Sequence, residues 1–463
     1  MMQRQAVVEL VRDSLYPKWQ TEKDRLDRID AWYRWKAEDI KLPRRATPEL
    51  KRLAEMSKVP WLGLVVSSAS QCMYVDGYRS PLDGEALDTE MSPPWRTWHA
   101  NGMGQRQIPV HRAALAYGYS FVKVLPGTDH EGKRSVLRGV SPRRAFAVYA
   151  DPAEDDWPMY AIQVEKAPKG GALVKFYDET DVHYVSIDGV GAKPEWISVE
   201  THDAGVCPWV RYANMLDLDG RCDGEVEPLI SAASRINKTA FDRLITQHFS
   251  SWKIRTVAGM AQPDDEEAAN RKKLELRQED LLVAEDPDTK FGVLDETPLN
   301  GFIDSWRADI EALAAVSQTP THALTGQLVN LSAEALAAAR ASLTQKVTER
   351  QKSFGRSHVQ ALRLAAQLEG HQDYADDVFG RVTWQDMEIR SIAQAVDALG
   401  KAAQMLNIPP KALWGRIPGV EKSDVDEWEQ MAKEADPVAA MAANLMAKAK
   451  PVDAPPPTVP AKL

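Results

Sequence analysis

The chain has 463 residues, 44% of them hydrophobic, enough to bury a sizeable core and, on length alone, to divide into about three units. Its formal charge of −10 at pH 7 argues against a protein that grips nucleic acid tightly, because that grip comes largely from phosphate neutralisation by Lys and Arg. No apolar run reaches the roughly 18 to 20 residues of a membrane span, and Arg4 and Glu9 interrupt the stretch where a signal peptide would be apolar, so synthesis inside the cell is expected.

Residues 7–42 read as helical with one break at Pro17, and the alternating charges between Trp19 and Trp35 read as a solvated face. A second helix is expected within 54–73, with Leu62, Val65 and Val66 on its apolar side, and a third region near 95–117. His111-Arg112 in that region has no partner histidine or carboxylate at catalytic spacing. From Tyr119 the period changes, and 120–124, 145–149, 160–165, 173–177 and 183–187 read as strands of an antiparallel patch. Asp151, Glu154, Asp155 and Asp156 surround Pro152 between two of these strands, where acidic turn residues are routine, and are expected to bind no metal. Cys72, Cys207 and Cys222 lack metal-ligand spacing and read as reduced thiols.

A helix opens at 223–225 and runs to about Ser251, with Leu229, Ala233, Ile236, Ala240 and Leu244 on one side. Residues 253–301 then form a small polar module, with strands at 253–257, 281–284 and 291–294 and a charged helix at 264–277. It holds 7 Lys/Arg against 12 Asp/Glu, a net of −5, and so acidic a surface suits a basic partner.

Ile303, Trp306, Ile310 and Leu313 follow at i, i+3, i+7 and i+10, one face of a helix that Thr319-Pro320 stops. A further helix is expected from an N-cap at Ser332 to about Glu369. Leu336, Leu343, Val347, Phe354, Ala361, Ala365 and Leu368 share one face of it, opposite Glu334, Gln345, Glu349, Lys352, Arg356 and Arg363. At about 1.5 Å per residue it is roughly 55 Å long, which suits a bridge between parts of something larger. The intervening loop 318–331 carries Leu324, Leu328, Val329 and Leu331; exposed in a monomer it invites aggregation, whereas in a ring it lines a channel or packs on a neighbour. A plain helical hairpin with a long connection is the competing reading. Beyond it come a strand at 381–384, a helix at 391–406, a helical stretch at 423–449 interrupted at Pro437, and a Pro-rich tail, 451–463, expected to be disordered.

No phosphate-binding glycine loop, zinc-protease motif, nucleophile elbow or C-x-x-C pair occurs, the nine histidines are dispersed, and the 14 tryptophans are not grouped with basic residues as in a base-stacking platform. Gly170-Gly171 reads as a hairpin turn and His322 as a hydrogen-bonding loop residue. No catalytic residue, metal or cofactor is expected.

The order of elements resembles the portal proteins of tailed bacteriophages. Ile236-Asn237-Lys238-Thr239, Val316-Ser317-Gln318-Thr319-Pro320 and Asn330-Leu331-Ser332-Ala333-Glu334-Ala335-Leu336 are similar to the branch found in actinobacterial siphophages, and the likeness extends to about Ala449. The resemblance implies an α+β, mainly helical portal-like fold with a small antiparallel β patch. Residues 1–223 would be the wing, 224–252 and 302–317 the stem helices, 253–301 the clip, 318–331 the tunnel loop, 332–390 the long wing helix and return strand, 391–450 the crown and 451–463 the tail.

It further implies a ring, usually of twelve subunits, at one capsid vertex of the virion, with no membrane partner. Double-stranded DNA passes through such a ring during packaging and ejection; the terminase large subunit, the head-to-tail adaptor and the major capsid and scaffold proteins are its partners. His322, Leu324, Thr325, Gly326, Gln327, Leu328, Val329 and Asn330 would face DNA, and Asp264, Asp265, Glu266, Glu267, Glu275, Glu279 and Asp280 of the clip would meet partners. Acidic subunits would repel phosphate and let DNA slide, although residues 332–369 carry 6 Lys/Arg against 3 Asp/Glu. An oligomeric scaffold or adaptor without a channel explains the long helices and missing active site equally well, and a hydrolase centred on Asp155 or Asp156 is a more distant alternative.

Overall fold

The computed structural model describes residues 2–83, 92–129, 132–167, 170–188, 193–250, 255–258, 290–293, 298–326, 333–385, 392–417, 420 and 422–434. The chain folds as two units, one of Met1–Asp27, Val66–Gly224 and Thr344–Leu463, the other of Arg28–Val65 and Glu225–Leu343. It is a mixture of helix and small antiparallel sheets.

The first unit is organised around a five-stranded antiparallel meander of Ala145–Val148, Tyr160–Lys166, Ala172–Tyr177, Asp181–Ile187 and Glu195–Thr201, each strand paired with the next in sequence. Because successive side chains point to opposite faces, the unbroken burial from Ala161 to Val164 means that both faces are covered. Ile162, Val164, Val174, Phe176, Val185 and Ile187 pack against Val7, Val11, Leu15 and Trp19 of the N-terminal helix. On the other face Ala145, Ala161, Tyr177 and Val182 meet Phe121, Val140, Cys207 and Trp209. Those last four lie on or beside a three-stranded sheet of Gly132–Val140, Tyr119–Asp129 and Trp209–Ala213.

The break expected at Pro17 does not occur. Helix Arg4–Leu10 continues through a π turn at Val11–Leu15 into helix Tyr16–Tyr33, and the Tyr16 N–H donates to the Val11 carbonyl, five residues back. Proline has no N–H and crowds the carbonyl four residues before it, so widening the turn just ahead of Pro17 accommodates the ring without ending the helix. The regions expected near 54–73 and 95–117 are each split, into Pro48–Met56 and Trp61–Ser70, and into Pro93–Ala100 and Met103–Tyr117. The last of these ends at Gly118, whose φ of +99° and an added Cβ only 2.0 Å from the Cys222 carbonyl oxygen admit no other residue without rearrangement.

The long helix runs from Ala333 to Glu369, as its periodicity predicts, with Leu343, Val347, Phe354, Ala361 and Ala365 buried. Lys346 and Arg350, on the same side, are also buried. Strand Arg381–Trp384 pairs antiparallel with Val75–Arg79 across some three hundred residues of sequence, a pairing fastened by Thr383 Oγ1 donating to Asp76 Oδ1 at 2.6 Å. Helix Ile392–Leu406, a 3-10 segment Pro410–Arg416 and helix Lys422–Glu434 complete the described C-terminal part; the expected tail, 451–463, lies outside the described residues.

In the second unit helices Ile230–Ser250 and Asn300–Val316 pack side by side, burying Ala233, Ile236 and Ala240 on the first and Ile310, Leu313 and Ala314 on the second. Arg235 and Asp309 pair at 2.7 Å, and the Arg243 guanidinium lies 5.5 Å from the Trp306 ring. Within the segment between these helices, Arg255–Ala258 and Lys290–Val293 form an antiparallel pair, so the first and third strands expected there belong together. The expected helix 264–277 and strand 281–284 lie outside the described residues.

Candidate functional site

The segment after the paired helices departs from the expected loop. Helix Asn300–Val316 closes in a left-handed cap in which the Thr319 N–H reaches the Ala314 carbonyl at 3.0 Å and the Gln318 N–H reaches Ala315 at 3.2 Å. This geometry places its penultimate residue at positive φ, a position glycine usually holds; here it is Gln318, at +53°. Ser317, Thr319 and Leu324 are buried, whereas Val316 is 70% exposed.

A short helix, Thr321–Thr325, then replaces the first part of the loop, ended by Gly326 at φ +68° with its N–H on the His322 carbonyl. Leu324 is buried, His322 and Thr325 are half-buried and Gly326 is exposed. Gln327, Leu328, Val329 and Asn330 lie outside the described residues, as do Asp264, Asp265, Glu266, Glu267, Glu275, Glu279 and Asp280.

Polar clusters in the first unit are mostly structural. The Asp151 carboxylate accepts the Ala153 and Glu154 N–H groups, Asp155 accepts the Asp151 N–H, and Asp156 pairs with Arg356 at 2.9 Å, so the acidic turn holds its own backbone. A cleft of about 610 Å³ brings Lys352, Arg356 and Arg363 to one wall, where Arg363 is tied down by the Ala375 carbonyl at 2.7 Å. Burial pushes the Cys207 thiol up and away from reactive thiolate.

His111, which has no partner at short spacing, meets His358 from 247 residues away. Their Nε2 atoms are 2.8 Å apart, His111 Nδ1 is 3.2 Å from the Met73 carbonyl, and His358 Nδ1 is 2.9 Å from the Tyr212 hydroxyl. One tautomer set satisfies every contact: Tyr212 donates to His358, His358 to His111, and His111 to Met73. Burial lowers His111 to about 4 and, with His111 beside it, holds His358 well below the usual imidazole range, so both rings are neutral near pH 7.

A second grouping missed in the sequence joins Asp178, Asp181 and His183, all buried, whose possible ligand atoms lie within 4.8 Å of one another. Asp178 and Asp181 close the turn between two strands of the meander and His183 enters the second strand. The spacing D-x-x-D-x-H is too short and too common at hairpins to stand out in the sequence alone.

Residues 13–438 match the family described as phage portal protein, SPP1 Gp6-like. The chain belongs to this portal protein family. Among its relatives is the portal protein of Mycobacterium phage L5, 25% identical over 457 residues, covering 93% of this chain and 87% of that one. The portal protein of Mycobacterium phage D29 is 24% identical over 363 residues, covering 75% and 72% respectively. The actinobacteriophage branch implied by the short motifs around residues 236, 316 and 330 is thus borne out, and portal proteins are structural components rather than catalysts. Among the described residues of this portal-family chain, no helix is long and apolar enough to cross a membrane.

Proposed function

We propose that the chain assembles as a ring, of about twelve copies, at one capsid vertex and conducts double-stranded DNA during packaging and ejection. The observation that carries this reading is the family match over residues 13–438, which takes in nearly the whole chain. Residues 1–223 with the Ala333–Glu369 helix serve as the wing, the paired helices Ile230–Ser250 and Asn300–Val316 as the stem, residues 253–301 as the clip and residues from 391 onward as the crown. The clip, net −5 by composition, offers basic surfaces of the terminase large subunit and the head-to-tail adaptor a complementary field. The capsid and scaffold proteins contact the wing and crown.

Residues 318–331 line the narrowest part of the conduit. They present few cations to phosphate, which favours sliding over capture. Native mass spectrometry of the purified full chain tests the assembly: a closed oligomer of ten or more identical subunits supports the proposal, and a monomer or dimer at high concentration refutes it.

A further inference from the structure

We propose that Asp178, Asp181 and His183 form a structural site for a divalent cation of the zinc class at the tip of the five-stranded meander. His183 is 2% exposed, and neither of its ring nitrogens has a hydrogen-bond partner. A buried imidazole without partners is costly, because both polar edges have left water and gained nothing. Its Nε2 points at Asp178 Oδ2, 3.6 Å away, too far for a hydrogen bond but close to the separation of two ligands on one ion. With metal–ligand bonds of about 2.0 to 2.2 Å, neighbouring donors in a tetrahedral site sit about 3.3 to 3.6 Å apart.

The carboxylates are already oriented. Asp178 Oδ1 accepts the N–H groups of Thr180 at 2.9 Å and Asp181 at 2.7 Å, which fixes that oxygen and leaves Oδ2 for the ion. Asp181, fully buried, has one oxygen on the Thr201 hydroxyl at 2.8 Å and the other on the Thr180 hydroxyl at 3.1 Å. Hydroxyls that hold a ligating carboxylate in place are the usual outer support of a metal site. His202 completes the surround: its Nε2–H donates to the Asp178 carbonyl at 3.2 Å while its Nδ1 accepts the Ala204 N–H.

Among the described residues no Lys or Arg pairs with either carboxylate, and the two buried carboxyl groups and the His183 ring bring possible ligand atoms within 4.8 Å of one another. A cation answers both deficits, neutralising the carboxylates and accepting the Nε2 lone pair. Two oxygens and one imidazole nitrogen suit zinc better than calcium, which takes six to eight oxygen ligands. The site would cross-link the turn at Asp178–Asp181 to the strand beyond it, and it stands independently of the assembly reading above.

The test uses tag-free full-length protein passed over chelating resin and then titrated with zinc, with metal content read by inductively coupled plasma mass spectrometry. One zinc per chain is expected, with affinity reduced at least 100-fold in His183→Gln and about 10- to 100-fold in Thr201→Val, and unchanged in the exposed-site control His371→Gln. Equal uptake by wild type and His183→Gln, or no uptake by wild type, overturns the proposal. Should a variant fail to fold, X-ray absorption of the zinc-loaded wild type decides instead. A nitrogen and oxygen shell near 2.0 to 2.1 Å is expected, and sulfur near 2.3 Å refutes the assignment.

Discussion

Acidification should destabilise the first unit through its buried histidine pair. His111 lies at about 4 in the fold against 6.5 for a free imidazole, and His358 is depressed in the same direction. A histidine with a folded pKa below its unfolded value takes up its proton more readily when unfolded. Its contribution is therefore whole above about pH 6.5, falls as the pH drops towards about 4, and levels off below that.

For His111 alone, linkage between pH 7 and pH 4.5 amounts to roughly 2 kcal/mol, and His358 adds to it. Carboxylates titrate in the same range, so the informative quantity is a difference between proteins. The double variant His111→Gln/His358→Gln replaces both rings with amides that cannot take up a proton. Urea denaturation of both proteins at pH 7 and pH 4.5 should show the wild type losing at least about 2 kcal/mol more than the variant. Equal losses, or a wild type that gains stability on acidification, would refute a neutral, hydrogen-bonded pair.

Gly118→Ala should cost more than about 2 kcal/mol and sharply reduce soluble protein, because its Cβ would meet the Cys222 carbonyl at a backbone angle of +99°. Phe354→Ala, emptying a fully buried position on the long helix, should cost about 3 to 5 kcal/mol by denaturant titration. Gln318→Gly should raise stability by up to about 1 kcal/mol, since it relieves a left-handed residue at the end of helix Asn300–Val316; a destabilised variant would mean that the Gln318 side chain makes a contact worth more than the strain.

The long helix was legible because thirty-seven residues without a proline let the 3.6-residue period accumulate, and Gly370, at φ +90°, directly follows its last residue. Four of the meander's five strands were legible for a related reason, since 145–149, 160–165, 173–177 and 183–187 alternate or are densely β-branched between turn residues, whereas the fifth, Glu195–Thr201, was not expected. Strands Val75–Arg79 and Gly132–Val140 carry no such signal: Asp76 and Gly77 dilute the former, and Lys133, Arg134 and Arg138 give the latter the composition of a loop. Both are held by partners, one of them some three hundred residues distant, and local propensity carries no trace of such pairing. Pro17 misled for the opposite reason, because a strong local breaker was overridden by Val11, Leu15 and Trp19 burying one continuous face.

Neither polar cluster could be read in advance. His111 and His358 belong to segments 247 residues apart, and only the fold shows that Asp178, Asp181 and His183 are buried rather than solvated at a hairpin tip. The helical turn at Thr321–Thr325 was hidden by Pro320 and Gly326, which read as loop punctuation yet stand at the start and the left-handed end of one helical turn. The signs of family membership survived all these local errors because they lay in the order of elements.

Electron cryomicroscopy of the purified full-length chain tests the central claim most directly. Closed rings around an open centre of at least about 20 Å, with residues 318–331 facing the axis, are the expected result. Filaments, dimers, or rings that carry this segment on their outer rim would contradict it.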